Sequence, residues 1–161
     1  MATEKLKFKL ELYATMWDKP PHAEILLNDK SYFKGDITST EENKPTVIEF
    51  EQDLEEGKEY SLTINRSGKD KGQAIVNDNG DVIKDQLLHI KGIEIDEIAL
   101  GGLVYEGIYL PEYPEPWATQ QREAGKKLEE SFKNVTCMGH DGKWQFKFSS
   151  PFYMWLLENL Y

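Results

Sequence analysis

Residues 5–14, "KLKFKLELYA", alternate without a break: Leu6, Phe8, Leu10 and Leu12 fall on one side, and Lys5, Lys7, Lys9 and Glu11 on the other. A repeat of two is the signature of a strand with one face in a core and one in water. "WDKPPH" (17–22) ends the pattern, because two prolines fix the backbone angle and remove two ladder donors.

The same texture continues down the chain. "AEILLND" (23–29) reads as a short strand closing in an Asn-Asp turn, and "SYFKGDIT" (31–38) as the next. "PTVIEFEQDL" (45–54) supplies another. "EEGKEYSLTIN" (55–65) turns at Gly57 and then places Tyr60, Leu62 and Ile64 on one face. "QAIVNDNGDVIKD" (73–85) has the form of a hairpin about Asn79-Gly80, and "QLLHIKGIEIDEIAL" (86–100) is the closing strand. Short strands with turn signals every ~8 to 12 residues predict an all-β, jelly-roll-like sandwich over residues 1–110. No helix-length period precedes residue 115, which argues against βαβ units.

Beyond residue 110 the character changes. Pro111, Pro114 and Pro116 make a stiff connector, and "WATQQREAGKKLEESF" (117–132) reads as a helix with Pro116 near its first position. Its apolar side would carry Trp117, Gln121, Ala124, Leu128 and Phe132. "NVTCMGHDGKWQFKF" (134–148) has the form of a second hairpin turning at Asp141-Gly142. "SSPFYMWLLENLY" (149–161) is a short helix with a serine N-cap and a proline at its first position. Being apolar nearly all round, it must be covered. Either it plugs the sandwich, or Trp155, Leu156 and Tyr161 dock into another chain. Residues 111–161 are thus a C-terminal extension, packed on the sandwich or on a partner.

Charge narrows the partners. The 29 Asp and Glu against 19 Lys and Arg give a formal charge of -10, which repels nucleic acid and anionic lipid. The N-terminal residues have no apolar signal region and no run approaches a membrane span, so the chain is expected to be cytosolic at synthesis. The one cysteine, Cys137, is read as a small core residue, and the Asn134-Val135-Thr136 glycosylation pattern as incidental. His22, His89 and His140 are far apart, and no nucleophile elbow, phosphate loop or paired cysteines occur.

Two groups of residues have the chemistry of a binding site. Asn77, Asp78, Asn79, Asp81 and Asp85 set five oxygen-bearing side chains in nine residues, and Ca²⁺ takes six to eight such oxygens from flexible loops. Asn, Asp and Gly are equally the residues of an ordinary solvated turn. Aromatic rings that a pyranose could stack on are Trp17 (beside Asp18), Tyr32, Tyr105, Tyr109 and Tyr113. For each ring, core packing is the alternative fate.

From about Leu10 to Leu100 the chain resembles the calcium-dependent β-sandwich carbohydrate-binding modules of the xylan-binding type. The stretches that carry the likeness are "YATMWDKPPHAEILLND" and "ND…KDQLLHIKGIEIDEI", with Asp85 at the motif's acidic position and Leu87, His89, Ile93 and Ile95 in its alternation. That resemblance implies a jelly roll with a loop-bound Ca²⁺ that sugar hydroxyls coordinate. Gln86 replaces the motif's arginine and "WDKPPH" its glycine-containing loop, so only Asp85 carries over as a metal ligand. The strand ending also looks like that of small virion proteins of tailed phages. The leading expectation is therefore a non-enzymatic binding or structural module of the phage-virion accessory kind, docking through its C-terminus onto a larger assembly or onto itself. A calcium-dependent polysaccharide-binding module is the alternative. A glycoside-active enzyme is the third, with no carboxylate pair singled out.

Overall fold

The computed structural model describes residues 2–69, 75–79, 81–113 and 115–160, with the side chains of Val76 and Leu160 outside that set. Most of the chain is strand, arranged in two antiparallel sheets. β1 (Thr3–Thr15) carries the opening alternation, and Leu6, Phe8, Leu10 and Leu12 are all buried, as the sequence predicts. It is followed by β2 (His22–Leu27), β3 (Lys30–Asp36), β4 (Thr46–Glu55) and β5 (Glu59–Ser67). Next come β6 (Ile75–Val76), β7 (Val82–Lys84), β8 (Leu87–Ile95), β9 (Ile98–Ala99) and β10 (Ile108–Pro111), with a 3-10 turn at Gly101–Glu106. The last elements are α1 (Trp117–Glu123), β11 (Phe132–Lys133), β12 (Cys137–Met138), β13 (Gly142–Ser149) and α2 (Phe152–Leu160).

One sheet runs β12, β8, β1, β4, with β9 beside β8; the other runs β11, β10, β13, β5, β2, β3. Their inner faces meet at Phe8 and Phe148, whose ring centroids lie 6.1 Å apart. Tyr60, Leu62, Ile64, Trp144 and Phe146 lie on the second sheet's inner face with Ala23, Ile25 and Leu27 of β2 and Tyr109 of β10. β6 and β7 pair as the expected hairpin in a separate two-stranded ribbon. Gly80, at its turn, lies outside the described residues.

Four expectations need correction. β8 does not alternate evenly. Its register against β1 slips between Glu11 and Leu12, so Lys91 is an extra residue; Leu88, Ile90, Ile93 and Ile95 are the buried set, while Leu87 and His89 are only half-buried. The helix expected to reach residue 132 stops at Glu123, because Gly125 takes a left-handed conformation (φ 84°) just past its end. Phe132 is instead in β11, opposite Tyr109.

The second hairpin does not form either. β12 pairs with β8 in one sheet and β13 with β10 and β5 in the other, so the Asp141-Gly142 corner crosses between sheets. Gly142 is required there, since a Cβ would stand 2.3 Å from the Leu110 carbonyl oxygen. The segment after residue 110 is therefore built into the sandwich: β13 is an interior strand of the six-stranded sheet. Finally, Ser150 does not cap α2. It is buried, and its hydroxyl donates to the Glu4 carboxylate, which also accepts the Phe152 N–H at 2.8 Å. A carboxylate from β1 thus satisfies a free donor at the helix start, where negative charge is stabilising. No helix among the described residues is long and apolar enough to cross a membrane.

Candidate functional site

The direction of β1 defines two ends. Glu4, near its start, lies at α2; Thr15, at its finish, lies beside His89 and the loops that follow β1, β5, β7 and β12.

The loop end is organised around Arg66. β5 places Tyr60, Leu62, Ile64 and then Arg66 inward, and Arg66 as a whole is 1% exposed. Its Nη2 donates to the Gln86 carbonyl at 2.6 Å and to Gln86 Oε1 at 3.0 Å, and its Nη1 to Asp141 Oδ1 at 3.3 Å. Nε has no hydrogen-bond partner among the described residues. Gln86 in turn donates from Nε2 to the Lys19 carbonyl at 2.9 Å, tying in the loop that carries Trp17. Asp141 also accepts the Lys69 N–H, at 3.1 Å. Burial lowers Arg66 from its ordinary value against the opposing pull of Asp141, and burial raises Asp141 against Lys69 and Arg66. Arginine remains charged through such a shift, so the pair is an ion pair whose cation lies under the surface while its carboxylate is partly open to water.

A second pair lies beside it. Lys69 Nζ donates to Asp85 Oδ1 at 2.7 Å and to the Gly139 carbonyl at 2.5 Å, and Asp85 Oδ1 also accepts the Gln86 N–H at 2.8 Å. The motif carboxylate is thus occupied by an ammonium. Asn77 Oδ1 accepts the N–H groups of Asn79 and Asp81, both at 2.9 Å, which makes the acidic loop a self-closed turn with Asp78 and Asp81 in its exposed rim. Among the described residues no group of three or more His, Cys, Asp or Glu is placed to hold a metal.

The aromatic candidates separate. Trp17 is 43% exposed, with Lys84 Nζ 4.8 Å from its ring centroid, and Asp18 beside it is exposed. Tyr109 is not available to a ligand: it faces inward on β10 opposite Trp144, and its hydroxyl exchanges hydrogen bonds with the His140 backbone at 2.5 and 2.8 Å. Burial pushes its pKa up to about 12. Tyr32 stacks on Phe50 at 4.2 Å and donates its hydroxyl to Gln52, joining β3 to β4 along one side of the sandwich, away from the loops. Tyr113 meets Trp117 and His140 at 6.0 and 5.1 Å, a grouping that the sequence did not disclose. Arg66 did leave a signal, a charged residue continuing the inward phase of Tyr60, Leu62 and Ile64.

At the other end α2 divides its apolar surface. Phe152 and Leu156 are buried, and Trp155 packs edge-on against Phe146 and Phe148. Tyr153, Met154 and Leu157 remain 46%, 60% and 61% exposed. On the Trp155 side of the helix a groove of about 470 Å³ is lined by Leu103, Ile108, Leu110 and Trp155 together with Glu106, Gln145, Lys147 and Asn159. Of the residues expected to dock, Leu156 is core, Trp155 is shared between core and groove, and Tyr161 lies outside the described residues.

No family model, curated protein or solved structure matches the chain.

Proposed function

We propose that this protein is a non-enzymatic structural and binding module with a jelly-roll-type sandwich, held in a larger assembly by self-association through its α2 end, as in a virion accessory protein of a tailed phage. The observation that carries this reading is the outer face of α2. A helix that only plugged a core would need one apolar stripe. This one has a second, at Tyr153, Met154 and Leu157, which stay exposed while Phe152 and Leu156 are buried. At the loop end the pairs Arg66 with Asp141 and Lys69 with Asp85 give the loops a polar framework in place of packing. Calcium has no place in this reading: an ion on Asp85 would first have to displace Lys69.

Sedimentation velocity of the full chain over a range of concentration tests it. The wild type is expected to associate, and the double variant Met154→Glu, Leu157→Glu to stay monomeric with its melting temperature unchanged. A wild type that remains monomeric, indistinguishable from the variant at every concentration, would sink the proposal.

A further inference from the structure

The first sheet ends on β4, which pairs with β1 on one side; no other strand among the described residues pairs with it. Exposed edges of this kind are ordinarily shortened, bulged or interrupted by proline. β4 has none of these three, and charge on its outer side is the one edge protection it carries: its ten residues match β1 from Thr46 opposite Leu12 to Glu55 opposite Thr3 without a register shift. It also has an unfinished inner side. Phe50 and Gln52 sit on the core phase of β4 yet are only half-buried, and the Tyr32 ring stacked on Phe50 is half-buried too. On its outer side Glu49, Glu51 and Asp53 are exposed in succession. Each has a lysine opposite on the β1 side (Lys9, Lys7 and Lys5), and only Lys5 with Glu51 closes to ion-pair distance, at 3.5 Å.

We propose that the β4 edge accepts an added strand: an extended segment of a partner protein in which Lys or Arg alternates with apolar residues. Its backbone would continue the ladder, its basic side chains would stand opposite Glu49, Glu51 and Asp53, and its apolar side chains would cover Phe50 and Tyr32. The same acids select against a second copy of β4. An antiparallel pairing of two such strands sets carboxylate against carboxylate, and like charges directly opposite are destabilising. The inference rests on β4 alone, so it stands or falls separately from the contact at α2.

Amide hydrogen exchange of the full chain with the synthetic peptide (Lys-Val)4-Lys tests it. Alternate amides between Val47 and Leu54 should gain protection, and the gain should shrink as salt is raised. The variant Glu49→Gln, Glu51→Gln, Asp53→Asn, checked to melt like the wild type, should bind on the order of tenfold more weakly, since each exposed charge pair contributes modestly. The peptide (Glu-Val)4-Glu should leave β4 unchanged. Unaltered exchange in β4 with the lysine peptide, or equal binding by the neutralised variant, would overturn the proposal and leave the acids as a block against edge pairing.

Discussion

The two ends of the sandwich are closed by different physics. At the helix end the seal is apolar: Phe152 and Leu156 enter a core that already holds Phe8, Phe146 and Phe148, and one carboxylate, Glu4, ties the helix start to β1. At the loop end the seal is polar, with a buried guanidinium and the pairs around it taking the place of side-chain packing. An apolar seal tolerates variation in shape and fails by cavity formation. A polar one fails when a single partner is removed, because the remaining charge stays under the surface.

Phe152→Ala should therefore have the largest effect. It empties a site at the junction of α2 and β13, where the ring contacts Phe148 at 5.8 Å and Trp155 at 6.0 Å. A loss of about 3 to 5 kcal/mol is expected in denaturant unfolding. A loss under about 1 kcal/mol would mean that α2 is not part of the seal, and the comparison of the two ends would break there.

Arg66→Met should cost somewhat less, about 3 kcal/mol, at the low end for breaking a buried pair because Asp141 is partly open to water. Methionine fills much of the space but cannot donate to the Gln86 carbonyl or to Asp141. Adding Asp141→Asn should recover part of the loss, since the leftover carboxylate is what makes the single change costly. Independent, additive effects of the two substitutions in a double-mutant cycle would show that no pair exists.

The same contrast separates what could be read from the sequence. The strands of the first 67 residues were legible, because Leu6 to Leu12 and Tyr60 to Ile64 keep a strict period of two and a half-buried sheet needs nothing more. β8 was misread in its first half because a bulge at Lys91 leaves the residue types unchanged while it reverses their phase, so Leu87 and His89 looked inward along with Ile93 and Ile95. β12 was unreadable as part of the first sheet: two residues carry no period, and its place is set by β8, some 50 positions earlier in the chain. α2 showed itself as a buried helix through composition alone, although its cap, Glu4, is supplied from the other end of the chain. Asp85 was recognisable as a motif position, but Lys69, which occupies it, could be assigned only from space.

The smallest expected effect isolates the loop end by pH. Burial lowers the pKa of His89, and burial with the nearby charges of Lys69 and Arg66 lowers that of His140. An imidazole whose folded pKa lies below its unfolded value of about 6.5 takes up its proton more readily when the chain unfolds. The stability it contributes is then fully present above about pH 6.5 and is lost as pH falls through the folded pKa. Melting temperature should accordingly decline from about pH 6.5 downward, and His89→Gln should flatten part of that decline. Asp141 has the opposite sign: a carboxyl with a raised folded pKa favours the fold when protonated, so its contribution is present below the unfolded value and lost as pH rises through the folded one. Arg66→Met removes the cation that opposes that rise, which should move the Asp141 transition to higher pH, toward the histidine window, while Phe152→Ala leaves it in place. If both variants shift the pH profile alike, the two ends are one cooperative unit in their electrostatics as well as in their packing.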